Sequence, residues 1–135
     1  MDDMHNILNT KPRRRRKTPK KDSESAVLRE CLAWLHEQED VLYVERRNTG
    51  ALATTDGGYI KFGHKGAADI WCLVNTGMND PIHVEIECKA RKGGRLSDAQ
   101  KAFQARCKEI EIEYLVVRSA EELEKKLWEC VGMTD

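Results

Sequence analysis

Ala68-Asp69-Ile70-Trp71-Cys72-Leu73-Val74, followed after a turn by Ile82-His83-Val84-Glu85-Ile86-Glu87-Cys88-Lys89-Ala90, is the stretch whose reading decides the fold. The first run is almost continuously apolar, as a central strand would be. The second alternates, with Val84, Ile86, Cys88 and Ala90 on one face and His83, Glu85, Glu87 and Lys89 on the other. Lys92-Gly93-Gly94 breaks this strand, and Ser97-Asp98-Ala99-Gln100 matches a capping box. The box opens a helix predicted to carry Ala99, Ala102, Phe103, Cys107 and Ile110 on one face. Residues 114–117 read as a short buried strand, completing a β-α-β unit whose two strands should be parallel.

On the N-terminal side, Asp22-Ser23 supplies helix caps, and Val27, Leu28, Cys31, Leu32, Trp34 and Leu35 follow helical spacing to about Glu37. Residues 41–47 read as a strand and 48–50 as a turn. Residues 51–54 and 59–62 flank Asp56-Gly57-Gly58, a hairpin signal, and 63–66 read as a loop. On the C-terminal side, Ser119-Ala120-Glu121-Glu122 reads as a second capping box, opening a helix through Leu123 and Leu127. The resulting expectation is an α/β fold with a mixed sheet.

A length of 135 residues suits one domain with a single core. No stretch approaches the roughly 20 apolar residues that a membrane span requires, and no apolar signal core opens the chain, so a cytoplasmic protein is expected. The formal net charge of zero hides an asymmetry: residues 1–21 hold eight Lys or Arg against two Asp, leaving fifteen basic and twenty-one acidic residues in the rest. The division expected is a disordered basic arm, 1–21, and a folded domain, 22–135. A basic arm on an acidic body points to a polyanion partner. Five cysteines at 31, 72, 88, 107 and 130 form no C-x-x-C pair, which reads against a zinc site and for buried, reduced thiols. His5, His36, His64 and His83 form no ligand cluster.

Two features point to chemistry. Asp69 opens an apolar strand, where an unpaired carboxylate is costly to bury. It serves either as a metal ligand or as an acceptor for hydrogen bonds from the 63–66 loop. Glu87 and Lys89 leave the same face of a strand that looks interior, and an interior strand carrying Glu85, Glu87 and Lys89 needs a reason to concentrate charge. Two carboxylates can bind a hard divalent cation. A lysine beside them could take the proton of an attacking water or stabilise developing charge. That set suits phosphodiester hydrolysis.

Gly66-Ala67-Ala68-Asp69, Glu87-Cys88-Lys89 and Leu96-Ser97-Asp98-Ala99-Gln100 together resemble the PD-(D/E)xK nuclease signature, and within it the VRR-NUC group of virus-type replication and repair nucleases. Further matches are Ser23-Glu24, Arg47-Asn48-Thr49-Gly50 and Val116-Val117-Arg118-Ser119, so the resemblance spans residues 23 to about 127. Ala68 stands where the superfamily's name places a proline. The resemblance implies a restriction-endonuclease-like core of helix, three strands, helix and strand. It also implies Mg²⁺ or Mn²⁺ at Asp69, Glu87 and the Cys88 carbonyl, with Lys89 catalytic and Glu24 and Gln100 assisting. Helix capping is the competing role for Gln100, and placement beside a helix N-terminus the competing role for Glu24.

The expected activity is metal-dependent endodeoxyribonuclease action on branched DNA, resembling a Holliday junction resolvase of the small phage or bacterial type. A symmetric homodimer would deliver its paired cuts. The hairpin at 51–62 and the last helix around Trp128 are candidate dimer surfaces, with core packing the other reading for Trp128. Arg13, Arg14, Arg15, Arg16 and Lys17 of the arm, with Lys65, Lys92 and Arg95, are the expected DNA contacts. A flap, nick or restriction-like nuclease and a non-catalytic DNA-binding module are the rival readings.

Overall fold

The computed structural model describes residues 22–48, 50–62, 64–77 and 80–132, with the backbone path alone at 50–53 and 59–62. The basic arm, with Arg13, Arg14, Arg15, Arg16 and Lys17, lies outside the described residues. Helix α1 spans Glu24–Glu37, and Ser23 caps it by accepting from the Ala26 N–H. Strand β1 (Val41–Arg46) follows, then the hairpin strands β2 (Gly50–Ala53) and β3 (Tyr59–Phe62). Strands β4 (Ile70–Val74) and β5 (Ile82–Cys88) lead to α2 (Asp98–Glu109), β6 (Glu113–Val117) and α3 (Ala120–Cys130).

The main sheet runs β1-β4-β5-β6, with β2 and β3 paired as a separate two-stranded sheet. The β5–β6 pair is parallel, and β1–β4 and β4–β5 are antiparallel. The sheet is therefore mixed, and the expected β-α-β unit is present. Interior strands β4 and β5 each have two neighbours, so both backbone edges of β5 are paired.

Ile70, Cys72, Val74, Val84, Ile86, Cys88, Leu115 and Val117 form one face of the sheet. Val27, Cys31 and Leu35 of α1 and Leu123 and Leu127 of α3 close over it. Removing each large apolar side chain from water contributes about 1.5–3 kcal/mol, and this face carries most of them. Helix α2 covers part of the opposite face, where Phe103 meets Tyr114 of β6 with ring centroids 6.1 Å apart. Trp128 turns inward against the core and packs on Trp34 at 5.7 Å, the core reading rather than a bare dimer surface.

Several boundaries and contacts differ from expectation. The strand expected over 82–90 ends at Cys88, so Lys89 is the first residue beyond it, anchored by its N–H to the Val117 carbonyl at 3.0 Å. Ala102 and Ile110 are exposed instead of packed. Ile110 is the C-cap of α2, where the backbone leaves the helical path and carries the side chain off the apolar stripe. The second capping box is only half formed. Ser119 accepts from the Glu122 N–H, but the Glu122 carboxylate reaches one residue further and takes the Arg118 N–H at 2.6 Å. Among the described residues no helix is long and apolar enough to cross a membrane.

Candidate active site

The N-terminal ends of α1 and α2, the lead into β4 and the exit of β5 converge on one place. Asp69 immediately precedes β4. Its carboxylate Oδ2 accepts the Cys88 backbone N–H at 2.8 Å, and its carbonyl accepts the Arg47 N–H at 2.8 Å. The expected partner in the 63–66 loop is thus replaced by the backbone of β5, because the β4–β5 register sets Asp69 beside the strand's last residues. Gly66 allows this path. It sits at φ +89°, and a Cβ there would lie 2.5 Å from the Ala99 carbonyl oxygen of α2.

Glu87 is fully buried and Lys89 is 6 % exposed. Gln100 links them. Its Nε2 donates to Glu87 Oε2 at 3.1 Å, and its Oε1 accepts from the Lys89 ammonium at 2.9 Å. The same oxygen accepts the Ser97 N–H at 2.9 Å and closes the capping box. One side chain therefore fills both roles weighed for it. Lys89 Nζ also stands 3.6 Å from Glu87 Oε2 and 3.8 Å from Glu24 Oε1. Glu24 is the first residue of α1, half exposed, so its placement at the helix N-terminus and its approach to Lys89 coexist.

Glu87 Oε1 is buried with no hydrogen-bond partner among the described residues. Burial and the neighbouring Asp69 carboxylate push the Glu87 carboxyl up to about 8, against an opposing pull from Lys89. An orphaned buried carboxylate oxygen beside a second carboxylate is what a divalent cation would satisfy, so these residues fit Mg²⁺ or Mn²⁺. Among the described residues no group of three or more His, Cys, Asp or Glu side chains could hold a metal ion. A third protein ligand would therefore be a backbone group, such as the Cys88 carbonyl.

Glu85, two residues back on the same face, is matched. Arg47 pairs with both its oxygens, one through Nη2 at 2.8 Å, and His83 Nε2 lies 2.5 Å from Oε2. The hydrogen bond to Glu85 raises the Arg47 guanidinium above its ordinary value. Arg47 Nη1 also donates to the Ala68 carbonyl at 3.1 Å, tying the residue before Asp69 to β1.

Lys92 and Arg95 lie exposed in the loop after Lys89, and Lys65 is exposed in the turn before Gly66. Arg118 clamps the first of these loops, donating to the carbonyls of Ala90 at 2.6 Å, Gly93 and Gly94 at 3.0 Å. The pinning roles of Arg47 and Arg118 escaped sequence reasoning, although both stand within the quoted motifs. Arg46, which lines the cavity beside Asp69, was missed outright. Its signal was its neighbour: Arg47 stands next to it in the sequence, and both arginines line this cavity.

Compared with known protein families, curated proteins and solved structures, the chain finds no match.

Proposed function

We propose that the chain is a metal-dependent endodeoxyribonuclease of the VRR-NUC type in the PD-(D/E)xK superfamily, cutting branched DNA as a cytoplasmic homodimer. The observation that carries this reading is the buried Glu87 carboxylate, with one oxygen unpartnered among the described residues and the Asp69 carboxylate beside it. A fold maintained for stability alone would gain by replacing such a group with an apolar one.

Asp69, Glu87 and the Cys88 carbonyl would hold Mg²⁺ or Mn²⁺. The bound ion would polarise the phosphoryl oxygen and lower the pKa of its water. Lys89, held by Gln100 at 2.9 Å, keeps an ammonium at the reaction centre without a flexible search. It is placed to orient the attacking water and to stabilise the charge that develops on phosphorus-bound oxygen. Gln100 is held in turn by the start of α2, so the lysine inherits the rigidity of a helix terminus. The N-termini of α1 and α2 both open at the site, and their positive ends favour an anionic backbone there. Water adds to phosphorus and gives up a proton to solvent, the phosphorus–oxygen bond to the leaving sugar breaks, and that sugar oxygen takes a proton from solvent.

The test is a panel of end-labelled four-way junctions, flaps, forks and linear duplexes incubated with Mn²⁺ or with EDTA. The expected result is cleavage in Mn²⁺ alone, strongest on four-way junctions and with paired symmetric cuts. Cleavage that survives EDTA, or none on any substrate, would overturn the reading.

A further inference from the structure

Arg46 and Arg47 are consecutive, and the structure sends them to different tasks. Arg47 is committed to Glu85 and to the Ala68 carbonyl, and its guanidinium lies 5.6 Å from the centre of the Phe103 ring. Arg46 is exposed, and its side chain makes no hydrogen bond or ion pair among the described residues. It lines a cavity of about 550 Å³ together with Ser25, Leu28, Asn48, Asp69 and Gln100. Asp69 joins this cavity directly to the carboxylate pair, so its contents would lie next to the reacting phosphate.

The lining is specific in chemistry. The Arg46 guanidinium, the Ser25 hydroxyl and the Asn48 amide can all donate hydrogen bonds, and the planar fork of an arginine matches the two outer oxygens of a phosphate. Leu28 adds an apolar wall of the kind a sugar ring can lie against. Glu24 also lines the cavity, so the Arg46 cation, which has no ion pair among the described residues, offsets the charge of two carboxylates that would otherwise repel a polyanion. A strand being cut must also pass a phosphate on either side of the scissile one.

We propose that this cavity seats the nucleotide adjacent to the scissile phosphate and that Arg46 grips its phosphate, an internal phosphodiester of the cleaved strand. This rests on the nuclease reading and adds to it a binding residue with a defined contact. Arg46 acts in binding, whereas Lys89 acts on the reacting atoms.

The experiment measures binding without cleavage, by fluorescence anisotropy of the full chain in Ca²⁺ on the preferred DNA, with single methylphosphonates placed in turn along the cut strand. Wild type should lose about tenfold in affinity at one internal position next to the cut. Arg46→Ala should lose about the same on unmodified DNA, show no further loss at that position, and reduce the salt slope by about 1. An Arg46→Ala protein that binds like wild type, or that stays sensitive at every position, overturns the proposal. Sensitivity only to removal of a terminal phosphate overturns the internal-phosphodiester assignment. Coupling between Arg46 and one phosphate in a protein that never cleaves would sink the nuclease reading while leaving the contact standing.

Discussion

Glu85 and Glu87 stand two residues apart on one face of β5, both buried, and the surrounding structure answers them in opposite ways. Around Glu85 both carboxylate oxygens pair with the Arg47 guanidinium, and His83 Nε2 lies 2.5 Å from one of them. Around Glu87 stand a second carboxylate, an amide and a lysine at 3.6 Å, and one oxygen has no hydrogen-bond partner among the described residues. Burial of a carboxylate therefore does not mark a reactive centre. The mark is burial with an oxygen left over, because a buried polar atom without a hydrogen-bond partner is the expensive one. On this account the Glu85 end of the strand braces the fold, and the Glu87 end is completed by a cation.

The largest effect that would break the contrast is on cleavage. Asp69→Ala, Glu87→Ala and Lys89→Ala should each lower the cleavage rate by about 10³-fold or more, and leave DNA binding in Ca²⁺ within about threefold of wild type. Affinity comes chiefly from basic contacts elsewhere. A Lys89→Ala protein that cuts at the wild-type rate would remove the assignment of β5 as the catalytic strand.

Stability sharpens the contrast next, because the two glutamates should respond with opposite signs. Glu85→Gln leaves the half-buried Arg47 without its anion and should cost about 2–3 kcal/mol in urea unfolding. Glu87→Gln replaces a buried carboxyl whose ionisation burial and Asp69 oppose and, with EDTA present, should be neutral or raise stability by about 1 kcal/mol. Equal losses from both would show that Glu87 is braced like its neighbour.

The smallest effect concerns the arm. Removing residues 1–21 takes eight basic groups from the chain. It should weaken DNA binding by about tenfold at moderate salt and flatten the salt dependence, since fewer counterions are released per complex. The unfolding midpoint should not move. A salt slope unchanged by truncation would rule the arm out as a DNA contact.

The architecture was largely legible because β5 has a strict period of two and α2 a complete capping box, both local signals. The grouping of Asp69, Glu87, Lys89 and Gln100 came from the nuclease resemblance, while the alternation of β5 set Glu87 and Lys89 on one side. What stayed hidden is set by distant contacts. Nothing near Glu85 reveals that Arg47, 38 residues earlier, will neutralise it. The partner of Asp69 was misjudged because strand register, not loop proximity, decides which N–H it meets. Ile110 fits the apolar stripe of α2 by spacing, but lies where the helix has already ended. The half-formed box at Ser119 shares that cause, since Glu122 finds a competing backbone donor one residue away.

The most direct test of the contrast is anomalous diffraction from crystals of the full chain soaked in Mn²⁺. The account predicts a single strong peak between the Asp69 carboxylate and Glu87 Oε1, about 2.1–2.3 Å from each, with nothing at Glu85. A bare Glu87 Oε1 at millimolar Mn²⁺, or a peak at Glu85 instead, would contradict it.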